Sequence, residues 1–367
     1  MSKAHFSELT FIRAFACITI VTLHTVERAL EHPEYKGTLG QYAQWGWESA
    51  YMLMFYGTPL FIFLSEVLIA YFYKNGLPAS FFPKRLKYIF LPFVFMAFYY
   101  AATKADSWLD FTERFFMHAV IGDYHGYFVL IIFQFYLLHW LGHRWLAKQA
   151  PGPVIFTSLL ITVAYLSVFN FIPAPSFPFS DYVWERYYWV PFPGWLFYFV
   201  TGYYVGRSYP ACRQWLKAHR ASLYWLPLLT SVIVLALYWN EWLTILSSKR
   251  VDLVLHTSAV LGAVLAFAIR FPVNHTWVQT VSRYSFGIYL WHMYYLFALK
   301  NVLGVLSIEL PFSIYVVTLV GGSTVLSMLT MRLLNRLPFG AALTGLLKPA
   351  SVPKAKTSLE QKERLST

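Results

Sequence analysis

Residues 11–30 read FIRAFACITIVTLHTVERAL, a stretch apolar enough for lipid yet interrupted by Arg13 and His24. As a helix it is about 30 Å long, the thickness of a hydrocarbon core. Ionisable groups inside such a segment are costly and by default mark function. Arg13 and His24 are eleven positions apart, which at about 100° per residue returns to nearly the same face with a rise of about 16 Å. One face of one helix therefore presents a cation toward one end and an imidazole toward the other. Glu27 follows His24 by three residues, where a carboxylate can fix the imidazole tautomer and raise its basicity. The plainer alternatives are a snorkelling anchor for Arg13 and a core histidine for His24.

The rest of the chain repeats the length of this segment. Of 367 residues, 58% are hydrophobic, 20% aromatic and only 13% charged, a balance that excludes a water-soluble domain of this size. Ten apolar runs lie near 9–30, 47–72, 86–103, 127–145, 153–171, 190–206, 221–239, 251–269, 284–303 and 312–334. They lack the alternation of barrel strands, so the expected fold is an all-α integral membrane protein, a bundle of about ten transmembrane helices. The first run has no small-residue cleavage site and is expected to stay in the membrane. Cys17 and Cys212 show neither disulfide nor metal-site spacing, and no metal site is expected. No long-period repeat or linker divides the chain, so one domain is expected over 1–345, with a short cytoplasmic tail over 346–367.

The net charge of +12 is distributed for a membrane rather than for nucleic acid. With a cytoplasmic N-terminus, the inner side collects Lys3, Lys74, Lys84, Arg85, Lys87, Arg144, Lys148, Arg207, Arg213, Lys217, Arg220, Arg270, Arg283, Arg336 and the lysines of the tail. The outer side collects most acids, among them Glu27, Glu31, Asp106, Asp123, Asp181, Glu185 and Glu241. This is the positive-inside pattern, and it puts both termini in the cytoplasm. The outer loops 104–126 and 172–189 have most character; in the second, Trp184 and its aromatic neighbours flank Asp181 and Glu185. Aromatic faces beside carboxylates suit sugar rings, although an interfacial aromatic belt has the same composition.

Other polar residues interrupt the later runs. Glu66 falls at a depth similar to Arg13, which suggests an ion pair between them. Lys84, Arg85 and Lys87 crowd the entrance of the third run and suit either anionic lipid or the phosphates of a nucleotide-type donor. Tyr289 and His292 share a helical face in the ninth run, while Gln134 and His256 are weaker candidates of the same kind. His139 and His143 lack the intervening glutamate of a zinc protease and read as interfacial. No P-loop, dinucleotide fingerprint or nucleophile elbow appears, so ATP-driven transport is not encoded.

These residues together resemble the acyltransferase-3 membrane proteins, over essentially the whole chain. The first motif of that family, a basic residue and a histidine separated by ten others, matches Arg13 and His24; its basic patch matches Lys84, Arg85 and Lys87; its late Y-x-x-H matches Tyr289 and His292. The stretches YGTPLFIFLSEVL, KRLKYIFLPF and GDYHGYFVLIIFQFYLL look most like the intercellular-adhesin C branch, which accompanies poly-N-acetylglucosamine synthesis and is regarded as an O-succinyltransferase or as an exporter. Two departures stand out: Tyr88 occupies the second arginine position of the third-span pattern, and Ser65-Glu66 replaces a Ser-Gly pair.

The resemblance implies transfer of an acetyl or succinyl group from cytoplasmic acyl-CoA to a hydroxyl of an extracytoplasmic glycan. No permanently bound cofactor is expected, since acyl-CoA is a co-substrate, and a glycan synthase complex is a candidate partner. Lys84, Arg85, Lys87 and Arg13 would hold the donor, and His24 with Glu27 would act as general base. Tyr289 and His292 would stabilise the oxyanion or, with Trp184, position the acceptor. A polysaccharide exporter or flippase is the alternative, and an ion-coupled solute transporter ranks below both.

Overall fold

The computed structural model describes residues 7–273 and 275–345, and among them there is no β-strand. Sixteen α-helices follow in order: α1 Ser7–Leu30, α2 Gln41–Leu53, α3 Gly57–Phe72, α4 Phe81–Arg85, α5 Leu91–Ala102, α6 Trp108–Phe116, α7 Phe128–Leu146, α8 Pro151–Phe171, α9 Ser180–Glu185, α10 Leu196–Arg207, α11 Tyr209–Ala218, α12 Arg220–Trp239, α13 Leu253–Arg270, α14 Thr276–Val305, α15 Phe312–Leu334 and α16 Gly340–Thr344. The tail expected over 346–367 lies outside the described residues.

Helix occupies each of the ten expected runs. Among the described residues, seven segments are long and apolar enough to cross a membrane: Ser7–Leu30, Gln41–Phe72, Trp108–Leu146, Pro151–Phe171, Arg220–Trp239, Leu253–Arg270 and Phe312–Leu334. The other three depart for local reasons. A π-helical stretch, Leu86–Phe90, separates α4 from α5 just after the cations Lys84 and Arg85. Helix α10 has only 12 residues, because Pro191 and Pro193 begin a 3-10 turn before it. Helix α14 is long, 30 residues, but carries Arg283 and a run of polar side chains.

Helices α1, α3, α10, α13, α14 and α15 form the packed interior, whereas α8 and α12 leave most of their apolar windows uncovered. Phe156, Leu160, Leu228, Leu229 and Val232 are among the exposed side chains, as befits helices that face lipid. The tightest contact is α3 on α10. Gly202 and Gly206 sit four residues apart on α10, where a Cβ would come 2.7 Å from the Phe63 carbonyl oxygen and 2.5 Å from that of Val67. Only glycine permits this approach, the small-xxx-small packing of membrane helices.

The ion pair expected between Glu66 and Arg13 does not form. Glu66 on α3 meets His139 on α7 instead, with Oε1 2.6 Å from Nδ1, and both side chains are buried. His139 and His143, read as interfacial, are both buried against neighbouring helices and stack at 5.6 Å between ring centroids. Glu66–His139 is thus one buried hydrogen-bonded pair of the α3–α7 contact, beside that of Tyr136 with Ser65, and losing one partner of such a pair costs about 3–5 kcal/mol. His139→Leu, which orphans Glu66, is expected to lower the thermal unfolding midpoint of the detergent-purified protein by several degrees. Glu66→Gln, which keeps a hydrogen bond, is expected to lower it much less; equal losses in a fluorescence melt would contradict this account.

Candidate functional site

Two cavities lie on opposite sides of the centre of the bundle, along α1. The one beside its N-terminal half has a volume of about 560 Å³ and takes cations from four positions, Arg13, Lys84, Arg85 and Arg283, with no carboxylate in its lining. Arg13 makes no ion pair among the described residues, and Arg85 rests on the rings of Phe81 and Tyr136, with its guanidinium carbon 4.9 and 5.4 Å from their centroids. The remaining lining is largely aliphatic and aromatic, including Leu64, Leu68, Ile89, Ile132 and Phe286. Such a chamber, cationic on an apolar background, can hold an anionic ligand that carries an apolar arm. Lys87 is exposed beside Tyr88 and does not line it.

The second cavity, about 350 Å³, lies beside the C-terminal half of α1. His24 and Glu27 both line it. His24 Nδ1 is 3.2 Å from Glu27 Oε2, and the Tyr51 hydroxyl donates to Glu27 Oε1 at 3.0 Å. Because a carboxylate oxygen accepts, Nδ1 carries the hydrogen, which in a neutral imidazole leaves the lone pair on Nε2. The Tyr51–Glu27–His24 chain therefore orients a base, the arrangement that activates hydroxyl nucleophiles.

Behind His24 stands a histidine cluster, in which the His292 ring stacks on His24 and meets His125 edge-on. His292 is fully buried, and its ring lies 5.5 Å from that of His24 and 5.5 Å from that of His125. Its Nδ1 donates to the carbonyls of Tyr289, at 2.7 Å, and Ile288, at 3.0 Å. His292 lines neither cavity, so it backs His24 rather than facing a ligand. His125 Nε2 bonds to the Leu290 carbonyl at 3.1 Å, and the Tyr289 hydroxyl donates to the His125 carbonyl. Among the described residues no group of His, Cys, Asp and Glu is arranged to hold a metal ion.

Ile20 and Tyr289 line both cavities and form the partition between them. The partition is built from two helices packed closely by Ala14, Cys17 and Val21 of α1 against Val281, Tyr284 and Ile288 of α14.

One wall of the second cavity comes from three loops. Arg186 ties loop 172–189 to loop 104–126: Nε donates to Asp123 Oδ1 at 2.8 Å, and Nη2 donates to the carbonyls of Gly122 at 2.6 Å and Tyr124 at 3.0 Å. Lys249, from the connection between α12 and α13, lies with Nζ 3.5 Å from the centre of the Trp189 ring and donates to the Tyr127 hydroxyl at 3.2 Å. Burial, and then the neighbouring Arg186 guanidinium, hold the Lys249 ammonium well below the usual lysine pKa, while Glu27 opposes the shift. Trp184 stands apart from this wall; its indole N–H donates to the Ile172 carbonyl at 2.7 Å and its ring packs on Phe169.

Several lining residues escape a reading of sequence alone. His125 and Lys249 come from connections between helices, Arg186 reads only as a member of the aromatic loop 172–189, and Arg283 reads only as one of many inner cations. Gln134 and His256 are satisfied structurally: Gln134 donates to the Val190 carbonyl at 2.9 Å and accepts from the Phe192 amide at 3.0 Å, and His256 bonds to Thr230 at 3.0 Å and the Leu53 carbonyl at 3.2 Å.

Comparison with known proteins gives this geometry a family. The acyltransferase domain of the acyltransferase-3 type matches residues 6–332. A Bacillus subtilis protein named for membrane-bound acyltransferase activity, YfiQ, is 32% identical over 92% of this chain and 94% of its own length. A Staphylococcus aureus protein named for poly-beta-1,6-N-acetyl-D-glucosamine export is 26% identical over 80% of this chain and 84% of its own. Its Staphylococcus epidermidis namesake is 25% identical over 80% and 83%. No solved structure matches. The match over nearly the whole helical bundle makes this chain a membrane acyltransferase of the acyltransferase-3 family.

Proposed function

We propose that the protein moves an acyl group from a cytoplasmic acyl-CoA thioester to a hydroxyl of an extracytoplasmic glycan, with the two substrates in the two cavities. The observation that carries this reading is the oriented His24–Glu27–Tyr51 chain on one side of the Ile20–Tyr289 partition and an all-cationic chamber on the other. The reading takes ten spans and both termini in the cytoplasm. It is supported by the positive-inside distribution, with Arg13, Lys84, Arg85 and Arg283 all on the inner chamber.

In this reading Arg13, Lys84, Arg85 and Arg283 hold the phosphates of the donor, and the pantetheine arm follows the apolar lining toward Tyr289. Lys87 attracts the donor or anionic lipid from the surface. The glycan enters the other cavity between Tyr51, Tyr100, Tyr124, Tyr127 and Trp189, whose faces suit sugar C–H surfaces. His24 Nε2 takes the hydroxyl proton as the sugar oxygen bonds to the thioester carbon. The tetrahedral intermediate then expels the thiolate, which recovers the proton from His24, giving an O-acyl ester and the free thiol. Glu27 holds the imidazolium in place, and His292 fixes the ring plane from behind. Tyr289, which lines both cavities, is assigned to the oxyanion, its hydroxyl turning from the His125 carbonyl to the thioester oxygen as charge develops there. Trp184 shapes the outer loop.

Export of the glycan is the second reading, favoured by the names of the staphylococcal relatives and by cavities on both sides of the partition. The two differ in one product. An exporter changes where polymer accumulates, whereas an acyltransferase changes its ester content.

Three outcomes follow for purified protein in nanodiscs. His24→Ala is expected to lower kcat about 10²- to 10⁴-fold with the folded yield unchanged, as for loss of a general base. Glu27→Gln is expected to fall between that variant and wild type; full activity in Glu27→Gln would remove the carboxylate from the mechanism. Arg283→Gln is expected to raise KM for acyl-CoA about tenfold or more, the worth of one charge-assisted hydrogen bond, and to leave kcat in place. An unchanged KM would move the donor out of the inner chamber.

A further inference from the structure

Acyl transfer as drawn above gives Lys249 no task, although its placement is costly. Its side chain is only 4% exposed, and the backbone that carries it is clamped by Asn170, which donates to the Lys249 carbonyl at 3.2 Å and accepts from the Val251 amide at 2.9 Å. The ammonium lies 3.5 Å from the centre of the Trp189 ring and makes one hydrogen bond, to Tyr127. It has three donors to place. Among the described residues no carboxylate pairs with it. Asp252 is occupied by Arg250 at 2.6 Å, Asp123 by Arg186 at 2.8 Å, and Glu27 by His24 and Tyr51.

The nearest second cation compounds this cost. Arg186 also lies over Trp189, at 4.4 Å, and its Nη1 is buried without a hydrogen-bond partner. The cavity is lined by Arg28, Lys104, Arg186 and Lys249 against the carboxylates of Glu27 and Asp123, with Arg28 paired to Glu31 outside it at 3.1 Å. A packing role alone would be filled more cheaply by a methionine or leucine, since unpaired buried charge is strongly unfavourable. Cation–π contact with Trp189 offsets part of that cost but leaves two ammonium donors and one guanidinium donor pointing at no acceptor.

We propose that Lys249 and the free Nη1 of Arg186 form an anion-binding subsite of the outer cavity, which takes a carboxylate carried either by the transferred acyl group or by the glycan that receives it. The class of anion follows from the donors. One ammonium and one free N–H against the Trp189 and Tyr127 rings match a planar group of single charge, whereas a phosphate dianion would call for more donors. A dicarboxylic acyl group attached through one end would place its free carboxylate here; a uronic-acid residue would do so from the glycan side. The identity of the substrate rests on the acyl-transfer reading. The binding of a carboxylate does not.

The test uses the full chain in nanodiscs and needs no turnover. Affinities by ligand-observed NMR are compared for monomethyl succinate against methyl butyrate and for methyl glucuronide against methyl glucoside. In wild type one of the carboxylates is expected to bind about tenfold or more tighter than its neutral counterpart, as for a charge-assisted contact. A preference for the succinate assigns the anion to the acyl group, and one for the glucuronide assigns it to the glycan. Lys249→Gln is expected to abolish the preference and Lys249→Arg to retain it. On wild type alone, reductive methylation at Lys249, followed by peptide mass spectrometry, is expected to slow with the preferred carboxylate and not with its neutral counterpart. No carboxylate preference in wild type, a preference that survives Lys249→Gln, or methylation at Lys249 unaffected by the carboxylate would each overturn the subsite. Because these readouts involve no thioester, absence of acyl transfer would leave them standing.

Discussion

A histidine in a membrane helix needs a partner that water would otherwise supply, and α1 supplies one from its own next turn. Glu27 bonds His24, and Tyr51 from α2 in turn bonds Glu27, so that the base, its orienting carboxylate and the residue that fixes the carboxylate are held by two packed helices. All three line the cavity beside the C-terminal half of α1. The same helix carries Arg13 about three turns earlier, on the far side of Ile20, so that one rigid rod spans from the cationic chamber to the base. The partition is thin because α14 packs closely on α1 and contributes Tyr289 to both chambers.

Charge sorts the chambers by chemistry. The one beside the N-terminal half of α1 has cations without acids, whereas the one beside its C-terminal half mixes acids, cations, imidazoles and phenols. The polar pair Glu66–His139 belongs to neither chamber. It holds α3 to α7, while the glycines of α10 bring α3 to its other neighbour. Interior polarity in this protein therefore has two uses, helix fastening and ligand handling, which differ in whether a cavity reaches the group.

What could be read from the sequence was what one helix determines by itself. Apolar run length located the helices, and the spacing of Arg13, His24 and Glu27 fixed their common face, since helical phase needs no tertiary knowledge. Partners across helices were not legible in this way. Depth alone offered Arg13 for Glu66, yet the azimuth of α7 gave it His139, and nothing in a run of apolar letters encodes that azimuth. Loop residues were harder still. His125, Arg186 and Lys249 reach the site only because Arg186 joins two loops and Asn170 clamps a third. A signal existed for the last: the pair Lys249-Arg250 puts two cations on an outer connection, against the positive-inside rule, and such an exception asks for a local reason. The spacing of Gly202 and Gly206 was likewise a readable sign of close helix packing.

The central claim is that acyl carbon crosses the bilayer through this protein while glycan and coenzyme A stay on their own sides. The most direct measurement uses sealed proteoliposomes with protein of defined orientation, labelled acyl-CoA on the cytoplasmic face and an N-acetylglucosamine oligosaccharide on the opposite face. The account requires labelled ester on the oligosaccharide in the compartment without acyl-CoA, lost in His24→Ala protein. Oligosaccharide that crosses the membrane without acquiring ester, or ester formed only when both substrates share one compartment, would contradict it.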